Sequence, residues 1–232
     1  MKLEDEIIRF LKDREASFVR FVDISGLPEH QTKQYSKAII FGIPLTPEYL
    51  RKVRDTPDYV QTRIENHIGF SDDELYLTEL KTDALSDELA ALLQRASYDA
   101  YSHSDKNQID TGFFDGVYGE TPLPHKTAAV LAGLGWIGKN NLLVTPGYGS
   151  GLCLGAVLTN APIKACREKP AEPACGNCRV CTDICKPGVL KGTLRNALTK
   201  REDIIDVYRC TTCMKCLVFC PWTKRYIDAC PN

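Results

Sequence analysis

An α/β or α+β domain followed by a small cysteine-rich module is what this 232-residue sequence predicts. Two observations carry the prediction. Segments with helical spacing alternate with short β-branched runs up to about residue 160. Eleven cysteines are present, none before residue 153 and nine between Cys175 and Cys230. Taking the elements in order, Leu3, Ile7, Phe10 and Leu11 share one face of a first helix over residues 3–13. A strand follows from Phe18, then a turn at Leu27–His30. The apolar run from Ala38 reads as a buried strand ending at Pro44. Residues 47–68 are polar and partly helical. Ser86 is the expected N-cap of a helix reaching Tyr101. Residues 104–122 read as loop. A helix from Lys126 stops at Gly133. Strands are expected over Asn141–Thr145 and Leu152–Thr159, joined by a hairpin-like turn at Pro146–Gly151.

The charged, Pro-containing stretch after residue 165 marks the expected boundary, with an α/β domain over 1–165 and the cysteine module over 166–232. The composition is that of a globular protein, 44% hydrophobic and 25% charged. A net charge of −1 gives no basis for nucleic-acid or membrane-surface binding. No apolar run approaches the ~20 residues of a spanning helix, and the N-terminus has no apolar signal core. A cytoplasmic protein with no membrane partner is expected. Crowding at one end distinguishes these cysteines from an evenly stapled disulfide scaffold and points to metal.

Cys175, Cys178, Cys181 and Cys185 follow C-x2-C-x2-C-x3-C, and so do Cys210, Cys213, Cys216 and Cys220, the last followed by Pro221. Three thiolates on one tight loop can hold three irons of a cubane. The fourth cysteine opens a helix leading away and serves the other cluster. The pattern predicts two [4Fe–4S] clusters in a two-cluster ferredoxin-like arrangement: Cys175, Cys178 and Cys181 with Cys220, and Cys210, Cys213 and Cys216 with Cys185. Zinc prefers separated cysteine pairs. Lys186 replaces the proline expected after Cys185, and its charge beside a cluster favours the reduced state. Cys153 reads as a buried thiol, and Cys166 and Cys230 as surface or packing residues.

Gly133-Leu-Gly135-Trp136-Ile-Gly138-Lys139-Asn140 matches G-x-G-x-x-G and nearly matches a phosphate loop. Both motifs need a strand before and a helix after; here a helix precedes and a strand follows. Nucleotide binding is therefore not expected. What remains is a backbone-exposing loop with Trp136, Lys139 and Asn140, suited either to a large flat ligand or to ending a helix against a core Trp.

This loop, followed by Gly149-Ser150, Leu154-Gly155-Ala-Val-Leu-Thr159 and the paired cysteine motifs ending in Cys220-Pro221-Trp222, resembles the epoxyqueuosine reductase family, itself related to reductive dehalogenases. The resemblance spans about residues 120–225. It implies a nitroreductase-like cobalamin-binding domain joined to a two-cluster ferredoxin module, with electrons passing through the clusters to the corrinoid. It also implies Gly135, Trp136, Gly138, Lys139, Asn140 and Ser150 as cofactor-binding positions. The tRNA-modifying members carry Asp-x-x-Pro-x-x-Glu ahead of the loop, the Asp being the proton donor. Alignment on Pro122 places Gly119 and His125 at those two positions, with Glu120 adjacent. That departure, the missing helical-repeat extension and the lack of a basic surplus argue against a tRNA substrate.

Three functions stay open: an oxidoreductase acting on a small-molecule substrate, with Glu120 or Tyr101 giving a proton; an electron-transfer or activator protein serving a separate redox or corrinoid enzyme; and an iron–sulfur sensor. A ferredoxin or flavodoxin is the expected electron donor. Tyr101 and His103, at the end of the long helix, are placed either facing the cofactor or as structural residues.

Overall fold

The computed structural model describes residues 2–114, 121–196 and 199–229. Its first elements are α1 (Leu3–Lys12), β1 (Phe18–Asp23), α2 (Glu29–Thr32), β2 (Lys37–Pro44), α3 (Pro47–Asp55) and α4 (Tyr59–Glu65). Then come α5 (Glu74–Arg95), β3 (Ala100–Ser102), α6 (Asp105–Asp110) and α7 (His125–Leu131). The remainder holds β4 (Trp136–Ile137), β5 (Leu143–Val144), β6 (Leu152–Thr159), α8 (Val180–Asp183), α9 (Lys215–Val218) and α10 (Pro221–Ala229). The fold is mixed α/β. No helix among the described residues is long and apolar enough to cross a membrane.

Two compact units share the chain. The first combines Met1–Ile43, Leu77–Gly133 and Cys153–Pro170; the second combines Pro44–Tyr76, Leu134–Leu152 and Ala171–Asn232. The units interleave, whereas a reading of composition divides the chain once, after residue 165. Ala171–Asn232, which carries both cysteine motifs, shares its unit with α3, α4 and the β4–β5 hairpin.

In the first unit a four-stranded sheet runs in the order β1-β2-β6-β3. β1 lies antiparallel to β2, with Phe18 opposite Gly42 and Asp23 opposite Lys37. β3 lies antiparallel to β6, with Tyr101 opposite Leu158. β2 is covered on both faces, which is why its sequence is a continuous apolar run rather than an alternating one. Ile7 and Leu11 of α1 and Leu85, Leu89 and Leu93 of α5 pack with Ile39, Phe41 and Val157 of the strands. Gly155 lets β6 pass the Phe41 ring, where a Cβ would collide.

Five local expectations are corrected. Ser86 is not an N-cap: α5 starts twelve residues earlier at Glu74, and Ser86 is buried within it, its hydroxyl donating to the Thr82 carbonyl at 2.9 Å. The first turn is instead held by Asp73, whose carboxylate accepts from the backbone N–H of Leu75. The helix ends at Arg95 and Ser97 turns left-handed (φ 63°), so Tyr101 stands on β3, not on a helix. The stretch 104–122 contains α6, capped by Ser104 Oγ accepting from the Asn107 N–H. β5 and β6 form no hairpin. The chain after Val144 closes on itself through Thr145 and Gly149, β5 pairs with β4, and β6 enters the other sheet. The turn expected at Leu27–His30 runs on into α2.

Asp83 on α5 lies near Asp87 and Asp105. Burial, and then these neighbouring carboxylates, raise it from 3.8 to about 6, while the Asp105 N–H donating to it acts in the opposite sense. A raised carboxyl in the folded state binds a proton that the unfolded chain releases, so this residue's contribution to stability declines as pH rises from about 4 to 6. Asp83→Asn, which retains an oxygen for the Asp105 N–H, should raise the melting temperature by an amount that grows across that window and levels off above it. A gain independent of pH would contradict this assignment.

Candidate cysteine metal centre

The second unit builds its site on two tight loops. In the first, Gly176 takes a left-handed conformation (φ 46°) between Cys175 and Cys178, and the Cys178 N–H donates to the Cys175 carbonyl at 2.9 Å. The loop enters α8, which carries Cys181, and Cys185 follows the helix end. In the second, Thr212 (φ 49°) and Met214 (φ 63°) are left-handed, α9 carries Cys216, and Cys220 immediately precedes α10. Cys220 therefore opens a helix, whereas after Cys185 the left-handed Gly188 interrupts helical backbone.

The thiols lie close together. Cys181 has Cys175, Cys220 and Cys178 as electrostatic neighbours; Cys216 has Cys213, Cys210, Cys181 and Cys185, in that order. Burial, and then the adjoining sulfurs, push Cys181 up to about 11 and Cys216 up to about 12. Both thiols thus need a nearby cation to ionise, and a bound metal reverses that balance by stabilising thiolate. Cys175, Cys178, Cys181 and Cys220 line a cavity of about 180 Å³ that Lys139 and Trp222 also border. Val189, Leu190 and Ile205 form a small apolar cluster against Cys181, Cys185, Cys210 and Cys216. No disulfide joins the described cysteines, and among the described residues no three His, Cys, Asp or Glu side chains close to single-ion spacing. A cubane with iron at four corners needs a wider cage than one ion.

The glycine motif forms the β4–β5 hairpin. Trp136 pairs with Val144 and Ile137 with Leu143, and the Gly138 N–H donates to Leu142. Gly135 is required because a Cβ there would run into the Val144 carbonyl. The hairpin tip reaches both cysteine loops. Lys139 Nζ donates to the Gly176 carbonyl at 2.7 Å and the Cys178 carbonyl at 3.1 Å. Asn140 Nδ2 donates to the Cys216 carbonyl at 3.2 Å and to Ser150 Oγ at 3.4 Å. The Ser150 N–H donates to Thr223 Oγ1 of α10 at 3.0 Å. Trp136 meets Trp222 edge to face at 5.0 Å, and its buried indole nitrogen has no partner among the described residues.

Tyr101 belongs to the first unit. It is 8% exposed, its hydroxyl lies 2.6 Å from Thr111 Oγ1, and burial raises its pKa. His103 is buried, with Nδ1 3.0 Å from His125 Nε2, and burial lowers both imidazoles, so the pair is neutral near pH 7. Cys153 is buried in β6 and Cys166 is exposed. Glu120 and Cys230 lie outside the described residues. Sequence reasoning missed the His103–His125 pair, because the two are 22 residues apart with no motif linking them.

No protein-family model matches the chain. An epoxyqueuosine reductase of Listeria monocytogenes is 34% identical over 138 residues, 52% of this chain and 33% of that protein. The match spans about a third of that relative's length. An epoxyqueuosine reductase structure from Streptococcus thermophilus superposes with a TM-score of 0.58 at 17% identity, over 97% of this chain and 67% of that one. A reductive dehalogenase structure described as suggesting a mechanism for B12-dependent dehalogenation superposes with a TM-score of 0.53 at 18% identity, over 75% of this chain and 23% of that one. The chain is a sequence relative of epoxyqueuosine reductases and shares a fold with them and with that dehalogenase.

Gly135→Ala should cost about 1–3 kcal/mol by overpacking the hairpin against Val144, measured by denaturant titration. Gly147→Ala, where an added methyl meets nothing within 4 Å, should leave stability unchanged.

Proposed function

We propose that the chain is an iron–sulfur oxidoreductase. Cys175, Cys178, Cys181 and Cys220 hold one [4Fe–4S] cluster, and Cys185, Cys210, Cys213 and Cys216 hold a second. The observation that carries this reading is that Cys220 of the second loop lines one cavity with Cys175, Cys178 and Cys181, while Cys185 of the first loop packs on the same apolar cluster as Cys210 and Cys216, an arrangement that suits two-cluster ferredoxin ligation. When bound, the clusters supply one-electron transfer from a ferredoxin or flavodoxin toward an organic cofactor and a small-molecule substrate. Lys139 and Asn140 fix the backbone of the cysteine loops. Val189, Leu190 and Ile205 pack against Cys181 of the first set and Cys185, Cys210 and Cys216 of the second.

Cobalamin is the organic cofactor this reading takes. The support is the resemblance of the glycine motif, the sequence relationship to epoxyqueuosine reductases and the fold shared with a dehalogenase associated with B12. Gly135, Trp136, Gly138, Lys139, Asn140 and Ser150 are its candidate contacts, and the buried Trp136 indole nitrogen has no hydrogen-bond partner among the described residues. Glu120 and Tyr101 are the candidate proton donors. Tyr101 must release its Thr111 contact to act. The glycine at residue 119, where tRNA-modifying relatives have their acid, points away from a tRNA substrate. The same observation favours a second reading, an electron-transfer or activator protein for a separate enzyme. The site of action is taken to be the cytoplasm.

Anaerobic reconstitution should give about eight irons and eight sulfides per chain; stoichiometric zinc, or a limit of four irons, would overturn the reading. Cys185→Ala should leave one cluster whose electron paramagnetic resonance spectrum matches that of Cys213→Ala and differs from that of Cys178→Ala. Titration with cob(II)alamin separates the two functions: tight binding with a changed cobalt spectrum supports the reductase, and no binding supports the carrier.

A further inference from the structure

Asp58 begins α4 in a left-handed conformation (φ 46°, ψ 42°), a region that non-glycine residues seldom occupy and that Asp and Asn tolerate best. An aspartate at that position ordinarily accepts from the N–H groups of the first turn. Here its side chain makes no cap hydrogen bond. The carboxylate instead takes two ammonium groups: Lys186 Nζ at 2.9 and 2.7 Å on its two oxygens, and Lys215 Nζ at 2.6 Å. Lys186 directly follows Cys185, and Lys215 directly precedes Cys216. The two lysines come from different cysteine loops and flank two members of the same thiol group. All three residues lie in the second unit.

We propose that Asp58 is a positioning residue for the Cys185, Cys210, Cys213 and Cys216 site: it clamps Lys186 and Lys215 together and fixes a single net positive charge beside those thiolates, which sets the reduction potential of the cluster they hold. The inference rests on the cluster reading above. A cluster gains negative charge on reduction, so cations nearby favour the reduced form and anions oppose it. Lys186 alone would favour reduction; Asp58 offsets half of the charge that the two lysines bring. Its carboxyl is pulled down to about 2, chiefly by the hydrogen bonds from Lys186 and Lys215, and is ionised throughout the working range. The lysines differ in exposure, 68% for the Lys186 side chain and 20% for Lys215, so solvent screens Lys186 more.

The test is a redox titration of the reconstituted protein followed by electron paramagnetic resonance. Asp58→Asn keeps the left-handed backbone and removes the charge; it should move one of the two cluster midpoints to more positive potential and leave the other in place. Lys215→Gln should move that same midpoint the opposite way, and Lys186→Gln should move it less than Lys215→Gln. Raising the ionic strength should narrow all three differences. Where Asp58→Asn binds fewer irons than the parent, the two lysine variants carry the test. Shifts of all variants in one direction mean general loosening of the site and overturn the proposal. Unmoved midpoints with the full iron content also overturn it while leaving the cluster reading intact. A parent protein that binds no clusters overturns both.

Discussion

Cys220 lines a cavity with Cys175, Cys178 and Cys181 of the first loop, and Cys185 shares an apolar cluster with Cys210 and Cys216 of the second. That exchange depends on holding the two loops in register. The β4–β5 hairpin does this through adjacent side chains: Lys139 donates to the backbone of the first loop and Asn140 to that of the second. Asp58 repeats the arrangement from α4, joining a lysine from each loop. Burial of Cys181 and Cys216 favours their neutral thiols over thiolates, so the braces, and not charge on the sulfurs, hold these loops in place.

Much of this was legible in the sequence where one short-range rule governs it. Spacing alone identified the apolar face of α1, the doubly covered β2 and the end of α7 at Gly133. It failed where distant partners decide the outcome. Ser86 looks like a cap, yet α5 passes through it because Leu85, Leu89 and Leu93 bury against the sheet and Asp73 holds an earlier first turn. Tyr101 looked helical by continuation, but pairing with Leu158 draws it into β3. The Asp58 clamp joins residues 128 and 157 positions apart, and the His103–His125 pair lies 22 apart; no local pattern signals either.

The glycine motif shows how one local sequence serves several ends. Gly135 and Gly138 satisfy the close approach of two short strands, which explains them without any ligand. Lys139, Asn140 and Trp136 are a different matter, since a hairpin needs none of them in order to close. All three are committed toward the cysteine loops or α10. A loop that resembles a cofactor cradle is therefore also a structural strut, and substitutions in it act on the thiol groups and on any ligand together.

The chain contains two tryptophans, and both stand in one place. Trp136 meets the edge of Trp222, which Arg225 covers at 4.5 Å from the ring centroid, and Trp222 lies two residues from Cys220 on the wall of the first thiol cavity. All of the protein's indole light emission therefore originates beside that cavity and none from the four-stranded sheet. Ultraviolet-excited indole fluorescence is in this molecule a local gauge of that cavity.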